Sequence, residues 1–337
     1  MSQAPAWRNR LLGATCFSLA GPPRAAPDAA PSIWVPLPPL LAGADSVCES
    51  WLGASQAWRG RRGPVLFGQS EGLLFGCLGV LESGFPALAA DGASQTPLRQ
   101  ATAFAYREIF GLLDALDFPH LYRVWNYLPD IHGESQGVER YRQFNRGRQD
   151  GFLASRRPLA GPVPAASAVG SADGPPAFCF LAGRGEPPLP VENPRQISAY
   201  HYPQAYGPRA PTFSRATLAR IGGRWTLFIS GTASIVGHQS LHPGDIAAQT
   251  RETLANLDAV IDEANRRVPG TSFDRGQLRY KVYVRRPVDA PGIREALERW
   301  LGVPASALFL QADICRRELL VEIEAGGGPA AVKPCRR

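Results

Sequence analysis

Residues 73–81, Leu73-Leu74-Phe75-Gly76-Cys77-Leu78-Gly79-Val80-Leu81, and residues 225–231, Trp225-Thr226-Leu227-Phe228-Ile229-Ser230-Gly231, are apolar runs punctuated by glycine. Each reads as a buried strand, the first as half of a hairpin over 64–82. The same plan follows both. After the first, Thr96-Pro97 opens a long amphipathic helix whose stripe is Leu98, Ala101, Ala105, Ile109, Leu112 and Leu116. A strand over 121–128 comes next. After the second, Pro243-Gly244-Asp245 caps a helix with the stripe Ile246, Leu254, Leu257 and Ile261, and a strand over 278–284 follows. With Gly76 set against Gly231, Arg123 centres the next strand 47 residues later and Lys281 does so 50 residues later. Each half then carries a Pro-Ala-(Ala/Ser) tripeptide, at 164–166 and 304–306, and a closing strand, at 177–182 and 319–324. A short helix near 291–301 and strands over 307–314 and 318–325 complete the second half.

This repeated β-β-α-β-(α)-β-β order is a diverged internal duplication. It predicts an α+β fold of two fused units, each a mixed β-sheet with helices packed on one face. The first unit is expected over 63–195, with an insert at about 132–160, and the second over 196–330. The Ala/Pro/Gly-rich residues 1–62 read as an irregular N-terminal extension.

The chain has 337 residues, 45% of them hydrophobic and 19% charged, a globular balance. Its net charge is +7, yet only two of 36 cationic residues are lysine, Lys281 and Lys333. The arginines are scattered, with no basic tract beyond Arg59-Gly60-Arg61-Arg62, which argues against nucleic acid and leaves room for an anionic small molecule. No apolar run is long enough to span a membrane, and Leu11 to Ala20 makes a poor signal peptide. The six cysteines show no CxxC spacing, and several sit in apolar runs. They are expected to be reduced, buried thiols of a cytoplasmic protein, with neither a disulfide framework nor a zinc site. His238 and His242 flank Pro243-Gly244 off any helix, and no metal is expected there.

The second half resembles the Rid/YjgF family in Pro304-Ala305-Ser306, Cys315-Arg316 and the closing Leu320-Val321-Glu322-Ile323-Glu324. The chain from about 60 to 326 resembles a narrower family, the chorismatases, once described as pteridine-dependent dioxygenase-like. The segments that carry it are Tyr127-Leu128-Pro129, Glu139 to Arg148, Tyr200-His201-Tyr202-Pro203, Pro211 to Arg215, Ser230 to Ser234 and Cys315 to Glu324. The resemblance implies a cofactor-free enzyme that acts on chorismate and releases pyruvate. The other product would be 3-hydroxybenzoate, with or without 4-hydroxybenzoate, or, in the hydrolytic subfamily, a 3,4-dihydroxycyclohexa-1,5-diene carboxylate. A Rid-like imine deaminase is the alternative from another class, disfavoured by chain length and duplication, and a non-enzymatic binding module is a further one. Oligomeric state is left open.

Chorismate needs cations for two carboxylates, a proton donor for its enol ether and a dry pocket. Glu322 is the expected donor. It alternates with apolar Val321 and Ile323 on a closing strand, where desolvation raises a carboxyl's pKa. Glu324 shares its face and is the weaker candidate, being nearer the Gly326-Gly327-Gly328 exit. The sister half reads Ala177-Phe178-Cys179-Phe180, with no acid, so one active site per chain is expected. Arg148, Arg209, Arg215 and Arg316 are candidates for the carboxylates, with Tyr141 and Phe144 on the helical face of Arg148. Tyr202 and Tyr206, in a Pro-bounded stretch, are further candidates for substrate contact, and Lys281, inside a strand, is a candidate for substrate contact or an ion pair. Gly231 would let a ligand approach the backbone. The resemblance adds Cys315, the residue found in 3-hydroxybenzoate-forming members, and Ala233, near an Ala/Gly contrast between subfamilies at which alanine leans toward hydrolysis.

Overall fold

The computed structural model describes residues 6–22, 30–41, 43–86, 95–328 and 333–335. Two six-stranded sheets dominate. The first runs, edge to edge, Ala165–Ser171, His120–Pro129, Ala177–Gly183, Leu73–Gly79, Val65–Ser70 and Trp58–Arg62. The second runs Ala307–Gln311, Arg279–Val284, Val321–Gly327, Arg224–Thr232, Ala216–Ile221 and Leu189–Val191. The chain threads both in the same order. Each has one parallel pair, His120–Pro129 with Ala165–Ser171 and Arg279–Val284 with Ala307–Gln311. A parallel pair needs a crossover. Helix α2 (Arg140–Ala154) supplies it in the first sheet and α4 (Ala290–Leu301) in the second. The stretch expected as an insert therefore holds the counterpart of α4, and only the small hairpin of Glu134–Ser135 and Val138–Glu139 is additional.

Helix α1 (Pro97–Ala115) starts where the Thr96 side chain accepts from the Arg99 amide, with proline in the first turn. Its stripe Leu98, Ala101, Ala105, Ile109 and Leu112 packs on Leu74, Val124, Phe178 and Phe180 of the first sheet. Helix α3 (Ile246–Arg267), capped by Asp245, lays Leu254, Leu257, Val260 and Ile261 on Leu227, Val282, Val321 and Ile323 of the second. Each buried large aliphatic side chain contributes ~1.5–3 kcal/mol. The opposite faces of the two sheets meet in a shared interior with Trp125, Tyr127, Cys179, Leu181, Phe228 and Tyr283. Period-two alternation sends Val321 and Ile323 toward the helices, and Glu322 and Glu324 toward the interior.

The described part of residues 1–62 is not irregular. Leu11–Ser18, Ser32–Val35, Ser46–Leu52 and Lys333–Cys335 form a four-stranded sheet, and Trp58–Arg62 edges the first large sheet. The expected set of reduced thiols is also corrected. Cys16 and Cys48 stand directly opposite on antiparallel neighbours and form a disulfide, Cα–Cα 4.1 Å. Their separation of 32 residues hides the pairing from any local spacing rule. Cys77, Cys179 and Cys315 are free. Among the described residues no helix is long and apolar enough to cross a membrane.

The strands flanking Cys315 are shorter than expected. Residues 312–320 form a loop, because Arg285 donates to the carbonyls of Ile314, Arg316 and Leu319 at 3.3, 2.9 and 2.8 Å and satisfies them in place of a sheet partner.

Candidate functional site

A cavity of about 320 Å³ opens where the Val321–Gly327 strand, the 312–320 loop, the start of α2 and the segment 196–215 converge. Glu322, 3% exposed, points into it, and its Oε1 has no hydrogen-bond partner. Burial first, and then the charge of Glu324, push its carboxyl up to about 8, against a pull downward from Arg123. Such a group keeps its proton at neutral pH.

Gly231 makes room for it. The Arg224–Thr232 strand pairs Ile229 with Ala325 and then Thr232 with Ile323, so one extra residue bulges out between them. A Cβ on Gly231 would stand 1.9 Å from Glu322 Oε1. The glycine is there because the carboxyl occupies the space a methyl would take.

Two guanidinium groups share the cavity. Arg215, 5% exposed, donates to Ile197 O and Tyr202 Oη, each at 2.8 Å, while its Nε is buried without a partner. Arg316 donates to His238 O at 2.9 Å and Ser240 Oγ at 3.0 Å, and lies 4.1 Å from the centre of the Tyr206 ring. Tyr202 sits between the two cations, 5.5 Å from Arg215 and 5.3 Å from Arg316. The tyrosine faces hold both planes in place and leave N–H edges for a carboxylate. Tyr206 is oriented in turn by its hydroxyl's hydrogen bond with His238 Nδ1 at 3.1 Å.

Cys315 lines the same space from the loop, and burial pushes its thiol up to about 12, so it is uncharged. Tyr141, at the start of α2, also lines it, with a phenol that burial drives upward. Ala233 completes the wall beside Gly231. Glu322, Cys315, Tyr141, Tyr202, Tyr206, Arg215, Gly231, Ala233 and Arg316 thus come together.

Arg148, Arg209 and Lys281 do not line this cavity. Arg148 is 2% exposed, lies over the Phe144 ring and donates to Asn145 Oδ1 at 2.8 Å. Its helical face does meet the site, but through Tyr141. Arg209 donates to Gln149 Oε1 at 3.1 Å, outside the lining. Lys281 stands opposite Glu324 in the sheet register and is tied to Glu49 and Glu324 at 2.6 and 2.9 Å. It lines a second cavity of about 420 Å³ together with Trp51 and Trp125. A lysine paired twice with carboxylates has no free charge for a substrate.

Phe213, Gln196 and Ile235 line the site and were not singled out. Phe213 had a signal, since it alternates with Arg215 in an extended run and lies 5.3 Å from that guanidinium. Gln196 had none; an isolated bridge with Gly237 brings it in.

Residues 49–182 match the family described as "Chorismatase FkbO/Hyg5-like, N-terminal". A 3-hydroxybenzoate synthase of Streptomyces hygroscopicus is 38% identical over 292 residues, 83% of this chain and 81% of that one. A chorismatase of the same organism is 36% identical over 288 residues, 83% of this chain and 79% of that one. A crystal structure of a chorismatase superposes with a TM-score of 0.80 at 30% identity, covering 97% of this chain and 96% of the other.

Proposed function

Because the chain belongs to the chorismatase family, we propose that it is a lyase converting chorismate, without a cofactor, to a hydroxybenzoate and pyruvate, with Glu322 as the initiating acid. One observation carries the reading: a buried carboxyl that holds its proton to about pH 8 shares a cavity with two tyrosine-stacked arginines. Chorismate is a dianion with one acid-labile enol ether, and the cavity answers both features.

Arg215 and Arg316 hold the carboxylates. Glu322 gives its proton to the enol ether methylene, leaving an oxocarbenium ion beside the new carboxylate. The bond from ring carbon 3 to oxygen breaks, its electron pair stays on oxygen, and pyruvate departs. The ring's 4-hydroxyl oxygen closes on carbon 3 and loses its proton, which restores Glu322. The resulting epoxide opens, its oxygen takes up a proton as a ring hydrogen is lost as one, and 3-hydroxybenzoate forms, with or without 4-hydroxybenzoate. Atoms balance without water. General acid assistance of this kind is worth ~10²–10⁴-fold.

Cys315 supports the intramolecular branch, because a neutral, poorly hydrated thiol does not recruit water. Ala233 speaks for the hydrolytic branch, in which water attacks carbon 3 and the product is the dihydroxycyclohexadiene carboxylate. Incubation with chorismate, with pyruvate assayed and the ring product separated by chromatography, tests both. Pyruvate with an aromatic product is expected. Pyruvate with only the dihydrodiol moves the chain to the hydrolytic branch, and no pyruvate overturns the function.

A further inference from the structure

Glu324 lies two residues beyond Glu322 on the same face of the same strand, and both are almost fully buried, 3% and 5% exposed. Neighbouring carboxyls in a dry interior do not both ionise easily, and the charge settles on the better-solvated one. Glu324 is ringed by donors. Arg123 Nη2 reaches Oε2 at 2.6 Å, Ser167 Oγ reaches Oε2 at 2.8 Å, and Tyr283 Oη stands 3.3 Å from it. Trp125 Nε1 and Lys281 Nζ reach Oε1 at 2.7 and 2.9 Å. Glu322 Oε1 has none.

The duplication produces this asymmetry. Arg123 and Lys281 are equivalent residues of the two sheets, opposite Leu181 in the first and Glu324 in the second. By the same register Cys179, opposite Trp125, is the counterpart of Glu322, opposite Tyr283. Both units contribute a cation, but the closing strand of only one contributes acids, so both cations reach Glu324, with Lys281 also paired to Glu49 of the N-terminal sheet at 2.6 Å.

We propose that Glu324 is a positioning residue for the catalytic proton: a permanent carboxylate, fixed by Arg123 and Lys281, that obliges Glu322 to remain in its acid form. Glu322 is faced by Glu324 on its own strand, Tyr283 on the neighbouring strand, Arg123 from the first sheet, Cys315 from the loop, and Arg215 and Arg316 across the cavity. Burial and Glu324 oppose its ionisation, and Arg123 favours it. The Arg123 guanidinium is itself committed to Glu324. The carboxyl of Glu324 is held below the ordinary carboxylate range by Lys281 and Arg123, despite burial. The catalytic consequence rests on Glu322 being the acid; the partition of the proton does not.

Infrared pH titration of the full chain reads the proton directly, and the pH dependence of kcat/KM reads its use. The native protein should show a protonated-carboxyl band that persists above neutral pH, is lost near pH 8 and is absent from Glu322→Gln. In Glu324→Gln the band's midpoint and the alkaline limb of kcat/KM should fall together by about one pH unit or more. Glu324→Asp, which keeps the charge, should stay near the native midpoint. Survival of the band in Glu322→Gln would place the proton elsewhere and overturn the proposal, and this arm does not need Glu324→Gln to fold. Lost activity in Glu324→Gln at an unchanged midpoint would also overturn it, reducing Glu324 to a structural role. If Glu322→Gln loses the band yet keeps full activity, the acid assignment fails while the partition stands.

Discussion

A carboxyl serves as an acid at neutral pH only while it holds its proton in the right place, and at Glu322 three features arrange that against the pull of Arg123: burial, the charge of Glu324, and a glycine that leaves room. Gly231→Ala tests the third. The added methyl meets the Glu322 carboxyl at 1.9 Å and Ser167 Cβ at 3.1 Å, so Glu322 swings aside and Ser167 gives slightly. Melting temperature should change little while kcat falls at least ~10-fold, since a misplaced acid loses most of its advantage. Unchanged kcat would show that the carboxyl position is not critical. Arg215→Ala should raise KM ~10-fold or more, because a charge-assisted pair to a carboxylate contributes roughly 1.5–3 kcal/mol. Native saturation behaviour would remove Arg215 from the carboxylate site. Glu322 was legible in the sequence because strand alternation sets an acid among apolar neighbours. For Lys281 the sequence left substrate contact and an ion pair both open, and the structure shows the pairs; rarity and strand location cannot reveal what stands opposite in the sheet. Glu49, which takes half of that charge, comes from a sheet that the sequence did not announce.

At the level of the element, the Val321–Gly327 strand carries Glu322 at a cost to stability. The folded carboxyl of Glu322 titrates at about 8 against an ordinary 4.5, so between those values the folded chain binds more protons than the unfolded one. Stability therefore declines as pH rises through that window. Glu322→Gln removes this term: its melting temperature should vary less from pH 6 to 9 and exceed the native value at the alkaline end. Parallel curves for the two proteins would contradict the raised carboxyl. The loop that presents Cys315 takes in residues 312–314 and 318–320, expected to be strand, and its conformation depends on Arg285, distant in sequence, which satisfies its carbonyls. Helix caps at Thr96 and Asp245, by contrast, are local and were read correctly. Cys315→Val keeps the volume and removes the thiol. It should shift product toward the dihydrodiol without stopping pyruvate release, and an unchanged ring product, followed by chromatography, would remove Cys315 from the branch point.

Across the whole molecule, a duplicated unit has been divided into one half that bears acids and another that supplies a cation to them. The duplication was legible because its strand spacing and closing strands survive in sequence, and the shared strand order bears it out. The four-stranded N-terminal sheet and the Cys16–Cys48 bridge were not, since short strands broken by Pro and Gly signal weakly and their partners are remote. The central claim, proton delivery from Glu322 to the enol ether, has a direct readout. Chorismate is turned over in deuterium oxide, and pyruvate is trapped at once by reduction to lactate. The native enzyme should place one solvent deuteron in the methyl group of every pyruvate, and Glu322→Gln, with an unchanged melting curve at pH 6, should release pyruvate at least ~100-fold more slowly. Pyruvate released by Glu322→Gln at more than about a tenth of the native rate, well short of the loss expected for a general acid, would contradict the account.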